Sequence, residues 1–228
     1  MPKISFVVPT KNRIEWLPEC LSGLLAQSEK DIEVVVVNDG STDGTKDILD
    51  DYYAKDERVR IIHNAQSVGA GNARNLGNDA ARAPLIGVCD DDDCYPQDRA
   101  MRTLRFFEKH PEGVMMTAPY IRIDYYDKML KEFNGLPFDE DAFKMGRGIN
   151  YFCHPAAAYL KKDILEIGGY KPETKDKTDD FQLVEDWIKA GKKILFAPEF
   201  FLCMHRVLPD SMMAGMRGFD PAWIGAAS

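Results

Sequence analysis

Four short apolar runs constrain the fold before any other feature. Ile4–Val8, Ile32–Val37, Val59–Ile62 and Leu85–Cys89 each have strand length and are rich in β-branched residues. Helical patterns separate them. Glu15–Gln27 places apolar residues at Trp16, Leu17, Cys20, Leu21, Leu24 and Leu25, and Asp43–Tyr53, Ala70–Ala81 and Asp98–Lys109 read as further helices. Strands alternating with helices predict an α/β fold with a mostly parallel central sheet and right-handed crossovers. The later half is less regular. Val114–Ile123 reads as one strand, with Lys128–Phe133 continuing a hairpin and Pro137–Gly148 a loop or short helix. Lys161–Ile167 and Asp180–Ala190 read as helices, and Lys193–Ala197 and Phe200–His205 as late strands.

The last of the four runs is followed directly by Asp90-Asp91-Asp92-Asp93. Adjacent carboxylates repel unless a cation or solvent relieves them. A solvated acidic turn is the commoner fate of a charge run. Emission from the end of a buried strand favours a hard divalent cation such as Mg2+ or Mn2+, because open α/β sheets bind ligands at the carboxyl ends of their strands.

Composition excludes several classes. The 228 residues, 45% hydrophobic, suffice for one large domain, and the net charge of −8 argues against a broad nucleic-acid surface. No stretch reaches the apolar length of a membrane span, and Ile4–Val8 is too short for the core of a signal peptide. A cytoplasmic protein is expected, with peripheral membrane contact through Phe219 and Trp223 left open. The five cysteines (20, 89, 94, 153 and 203) form no C-x-x-C pair, so reduced thiols are expected.

Several polar residues stand where chemistry is done. Asp39 ends the second run; it can accept hydrogen bonds from a ribose or a base N–H, although taken alone an Asx turn or helix cap is the commoner outcome. The acids from Asp39 to Asp50 imitate a calcium loop, but four valines precede them and no Glu closes the loop. Gly69-Ala70-Gly71 imitates a dinucleotide turn, but Arg74 stands where its third glycine belongs and Asp39 precedes rather than follows it. Arg74, early in its helix, is placed to hold a phosphate, to reach back to Asp39, or to make an ordinary ion pair. Thr178-Asp179-Asp180 opens a helix, where an acid is a cap or a proton acceptor, and Asp180 and Asp179 compete for the second role. His205 is a candidate metal ligand and Arg206 a candidate diphosphate clamp, each with packing as the alternative. His154 is read as a packing residue.

In this order the pieces resemble the family 2 glycosyltransferases, nucleotide-sugar enzymes of the GT-A fold. The matching segments are Ile4 to Arg13, Val37 to Thr45, Gly69 to Gly77, the aspartate cluster with Pro96, Gly168-Gly169-Tyr170, and Asp179-Asp180-Phe181. The resemblance covers roughly residues 3 to 206 and implies a Rossmann-like three-layer sandwich. Residues 1–110 would form a nucleotide-binding half and 111–206 an acceptor-binding half; by its composition 207–228 reads as a mobile flap or a partly ordered extension.

The resemblance also implies roles. Pro9, Thr10 and Asn12 would line the donor, Asp39 would bind the base, and Arg74 would approach the same pocket or the diphosphate. The cluster would be the family's D-x-D motif. Asp92 is taken as the main metal ligand and Asp90 as its partner toward sugar or metal, with Asp91 the rival, because only Cys94 and Tyr95 separate the cluster from Pro96. Ser67 stands where an Asn commonly precedes the glycine turn. Asp180 would be the general base, with His205 on the metal and Arg206 over the diphosphate. The implied reaction is metal-dependent (Mn2+ or Mg2+) inverting transfer of one sugar, from a donor of UDP-sugar type, to a glycan, lipid-linked or protein acceptor. A nucleotidyltransferase and a non-catalytic transferase-like domain are the rivals.

Overall fold

The structure is a computed structural model that describes residues 1–134, 138–142, 153–172 and 178–208. Strands β1 (Ile4–Thr10), β2 (Ile32–Asp39), β3 (Val59–Asn64) and β4 (Leu85–Val88) alternate with helices α1 (Leu17–Leu25), α2 (Thr45–Asp51), α3 (Ala70–Ala80) and α4 (Arg99–Lys109). The chain continues through β5 (Met115–Thr117), β6 (Tyr120–Ile123), β7 (Met129–Phe133), α5 (Glu140–Ala142), β8 (Ala158–Leu160), α6 (Lys161–Glu166), α7 (Asp179–Lys189), β9 (Ile194–Phe196) and β10 (Cys203–Arg206). The seven-stranded sheet has the order β3-β2-β1-β4-β8-β5-β9, and β10-β6-β7 form a smaller sheet. In the large sheet only β8 runs antiparallel to its neighbours.

The strand period of two divides the core into two layers. Phe6, Val8, Val34 and Val36 meet Leu17, Leu21 and Leu24 of α1 and Ala100 and Phe106 of α4. Val7, Val35, Ile86 and Val88 meet Ile164 of α6 and Leu183, Val184 and Trp187 of α7. The three α1 leucines are wholly buried, and burial of each stabilises the sandwich by about 1.5–3 kcal/mol. Helix α3 lies on the second face and touches the sheet at Gly77, where an added Cβ would fall 2.4 Å from Val7 Cγ1. The helix therefore sits closer to β1 than any side chain at 77 would permit.

The first four strands and four helices match the sequence expectation to within a few residues. Pro18 sits in the first turn of α1, where its missing N–H costs no helical bond. The later half differs. The expected strand Val114–Ile123 is two strands in different sheets, broken around Pro119, which has no N–H to continue a ladder. The expected strand Phe200–His205 is narrowed to Cys203–Arg206. Strand β8 was missed, because its three residues are too few to show a period. Most of Pro137–Gly148 lies outside the described residues. So does 209–228; Val207 and Leu208, the first two residues of the expected flap or partly ordered extension, are buried. Among the described residues no helix is long and apolar enough to cross a membrane.

Candidate active site

Because β1, β2 and β4 are mutually parallel, Thr10, Asp39 and the acid loop after β4 emerge at one edge of the sheet. Pro9 pairs with Val37 beyond the last β1–β4 pair at Val7, so its missing N–H leaves no gap against β4. Thr10 is buried at the strand end. Asn12, in a left-handed conformation, latches two loops: its amide donates to Ser41 Oγ (2.9 Å) and its Oδ1 accepts from the Thr42 amide (2.8 Å). The rim of the crevice is thus made by the β1 and β2 loops together.

Asp39 is 3% exposed, and its carboxylate is committed to the loop before α3. It accepts hydrogen bonds from Asn64 Nδ2 (2.8 Å), Ser67 Oγ (2.6 Å), the Val68 amide (2.8 Å) and the Gly69 amide (3.0 Å). Burial raises its pKa, but these four donors outweigh burial and hold it below the usual carboxylate range. Gly69, at φ +87°, turns the chain into α3 so that its amide can face Asp39. All four of these bonds are internal to the protein, and Asn64 and Ser67 are both among the donors.

Arg74 holds the site together. Its buried guanidinium donates from Nη2 to Asp90 Oδ1 (2.7 Å) and from Nη1 to Asp179 Oδ2 (3.0 Å), across the face of Tyr170. It reaches neither Asp39 nor open solvent. Burial opposes its charge, yet Asp90 and Asp179 raise its pKa above the ordinary arginine value. The same contact outweighs burial at Asp90 and lowers that carboxyl's pKa. Asp179 is therefore locked from both sides, since its Oδ1 accepts from the Asp180 amide (2.9 Å). Asp180 is half-buried; its Oδ1 takes the Thr178 hydroxyl and the Phe181 amide (2.7 Å). His154 Nε2 meets Tyr170 Oη (2.8 Å), Tyr170 Oη meets Tyr159 Oη (3.1 Å), and Tyr159 donates to Asn78 (3.2 Å). This buried network supports the Arg74 side chain from below. The packing role expected of His154 agrees with its burial, which lowers its pKa.

In the acid loop the four aspartates have separate environments. Asp93 is wholly buried and accepts from the Arg206 amide (2.8 Å), Cys203 Sγ (3.3 Å) and His205 Nδ1 (3.1 Å). Asp91 and Asp92 are half-buried. Burial pushes the Asp91 carboxyl up to about 7. Burial, then repulsion from Asp93, Asp91 and Asp90, pushes Asp92 well up. Carboxyls crowded at one buried strand end repel one another in their charged forms, and a cation bound among them would relieve that repulsion. Ligand atoms of Asp90, Asp93 and His205 lie within 4.8 Å of one another. Asp92, the expected main ligand, is not one of that group. The Asp93–His205 contact has the form of a carboxylate behind a metal-ligating histidine: Nδ1 is held, and Nε2 is the nitrogen left for a ligand. Burial lowers the His205 pKa, but Asp93 outweighs burial and lifts it to about 9. The donor set of carboxylates and one imidazole fits Mn2+ or Mg2+.

Arg206, expected over the diphosphate, has a guanidinium that is 1% exposed and filled with partners. Nε donates to the Asp92 carbonyl (2.9 Å), Nη1 to Asp127 (2.5 Å) and the Asp124 carbonyl (3.2 Å), and Nη2 to Glu19 (2.8 Å), while Trp16 stacks on it. Sequence reasoning also missed Asp93, Tyr170 and Tyr95, whose hydroxyl accepts from the Asp90 amide (2.7 Å). Nothing in a run of four identical residues separates a ligand from its support, although Tyr170 after two glycines was a visible signal.

A mostly parallel sandwich with strand-end acids, a buried Arg bridging one of them to an acid at a helix start, and an imidazole beside them is the architecture of a GT-A fold glycosyltransferase. The chain belongs to glycosyl transferase family 2, whose sequence profile matches residues 5–168. It is similar to the uncharacterized glycosyltransferase EpsJ of Bacillus subtilis (43% identity over 93 residues, 41% of this chain and 27% of that protein). It is also similar to glycosyltransferase GlyG of Streptococcus pneumoniae (40% over 124 residues, 54% of this chain and 41% of that protein). The chain thus spans about a quarter to two fifths of the length of these relatives. In fold it resembles S. aureus TarS 1-349 in complex with UDP-GlcNAc (TM-score 0.77, 18% identity, 94% of this chain and 61% of that one). The mannosyltransferase PcManGT of Pyrobaculum calidifontis, in complex with GDP-Man and Mn2+, superposes with TM-score 0.70 at 18% identity, covering 93% of this chain and 59% of that one.

Proposed function

We propose that this chain transfers one sugar from a nucleotide-diphosphate sugar, of UDP-sugar type, to an acceptor hydroxyl with inversion. The observation that carries the reading is the Arg74 bridge. It joins Asp90, after β4, to Asp179, at the start of α7, so two acidic centres far apart in sequence share one crevice. Asp39 acts on the nucleoside through the loop it folds, with Pro9, Thr10 and the Asn12 latch forming the facing wall. Asp90, Asp92 and the His205 Nε2 would hold Mn2+ or Mg2+, with Asp93 orienting the imidazole. A cation bound there supplies charge neutralisation for the diphosphate leaving group.

Asp179 is locked by Arg74, so the proton from the acceptor hydroxyl goes to Asp180. One Asp180 oxygen is held by Thr178 and the Phe181 amide, which fixes the carboxylate and leaves the other oxygen for the acceptor. A single displacement needs one base and no carboxylate nucleophile, which matches one oriented Asp beside one neutralised Asp. The likeness to structures holding UDP-GlcNAc and GDP-Man supports a nucleotide-sugar donor.

The test is a panel of nucleotide sugars with Mn2+, read first as a rise in melting temperature and then as release of free nucleoside diphosphate. Release of pyrophosphate would instead indicate a nucleotidyltransferase. Asp180→Asn should lower transfer by about 10²–10⁴-fold with donor binding retained. Normal turnover by that variant would remove Asp180 from the mechanism.

A further inference from the structure

We infer that Arg206 is a positioning residue that sets the orientation of the Asp92 carboxylate by holding the Asp92 main chain. The inference rests on the proposed metal-assisted transfer for its consequence, but not for its geometry.

The acid loop is gripped at two points. At its start the Tyr95 hydroxyl accepts from the Asp90 amide at 2.7 Å. At its far side β10 lies against it: Cys94 and Met204 exchange both main-chain hydrogen bonds, at 3.1 and 2.9 Å, and the Arg206 amide closes onto the Asp93 carboxylate. Between these grips Asp92 has one main-chain tether to β10, the 2.9 Å bond from Arg206 Nε to its carbonyl.

Nη2 makes a second contact beside the loop, to Cys94 Sγ at 3.3 Å, and the remaining bonds of the guanidinium lead away from it. Nη1 and Nη2 reach Asp127, the Asp124 carbonyl and Glu19, and the plane stacks on Trp16 with its carbon 4.5 Å from the ring centroid. Trp16 in turn packs edge-on against Tyr125, at 4.7 Å. One planar cation therefore couples the Asp92 peptide to α1 and to the β6–β7 turn. Movement of that turn would be transmitted to Asp92 through a rigid fork rather than a flexible chain. Only a guanidinium can do this, because its five N–H donors radiate in different directions within one plane while its face stays free to stack.

Lysine is the informative substitution. In Arg206→Lys the ammonium can satisfy Asp127 and Glu19, but it has no second nitrogen to hold the Asp92 carbonyl at the same time. The expected result is local. The melting temperature without metal should stay within about 4 °C of wild type. The amides of residues 91–94 should exchange with deuterium about tenfold faster while those of β1 keep their protection. Mn2+ affinity by calorimetry, with a nucleoside diphosphate present, should fall about ten- to a hundredfold. Asp127→Asn, made at the exposed end of the same fork, should give the same pattern with a smaller amplitude and serves if the lysine variant does not fold.

Unchanged exchange at 91–94 in the folded variants would overturn the inference, as would accelerated exchange spread evenly over the sheet, which marks a general staple. If wild type itself binds no Mn2+, the proposed chemistry fails, yet the exchange measurement still decides what Arg206 does.

Discussion

Removal of Arg74 should cost more than removal of almost any other polar side chain in the protein. Arg74→Met keeps the aliphatic stem against Tyr170 but deletes the charge between Asp90 and Asp179. The Asp179 side chain is 3% exposed, so its carboxylate would be left buried without its counter-ion, whereas Asp90 is 24% exposed and water can replace part of its loss. Charge-assisted hydrogen bonds contribute about 1.5–3 kcal/mol each, and breaking a buried pair from one side costs about 3–5 kcal/mol. Discounting the Asp90 side leaves about 3–4 kcal/mol. For a chain of this length that is a fall in melting temperature of about 10 °C. Urea unfolding should show the midpoint lowered with an unchanged slope. Adding Asp179→Asn to Arg74→Met should recover part of the loss, because it removes the orphaned charge. A cost below about 1 kcal/mol for the single variant, or a purely additive loss in the double variant, would refute the view that this bridge is a buried charge pair.

Two further outcomes concern stability. Gly77→Ala puts a methyl group against Val7 where α3 meets β1, and overpacking of this kind should cost about 1–3 kcal/mol, read from chemical denaturation. Glu33 is wholly buried in β2; burial raises its pKa, but the Arg82 amide, the Ser5 hydroxyl and the Arg82 side chain outweigh it and the net shift is downward. A carboxyl with a depressed folded pKa contributes stability that is present above its unfolded value, about 4.3, and lost as pH falls through the folded value. Acid titration of stability should therefore be less steep in Glu33→Gln than in wild type, with the two curves parallel above neutral pH.

Much of the fold was legible because its signals are local. The β-branched run Ile32–Val37 reads as a buried strand, and Leu17, Leu21 and Leu24 recur at the helical period, so the first four strands and four helices follow from residues near one another. The later half was less legible for the same reason. Strand β8 has three residues and owes its place between β4 and β5 to partners more than forty residues away along the chain. The break at Pro119 is visible in the sequence, but the transfer of the chain to a second sheet is not.

The site divides along the same line. Sequence alone determined that acids stand at strand and helix ends, because a polar residue after a buried run has only that edge to occupy. Tertiary structure decided what each does. It gave Arg74 to Asp90 and Asp179, turned Arg206 inward, committed Asp39 to its own loop and made Asp93 the support of His205. Those outcomes depend on contacts between residues 16 to 187 positions apart, where burial and charge neutralisation, rather than any periodicity, choose the partner.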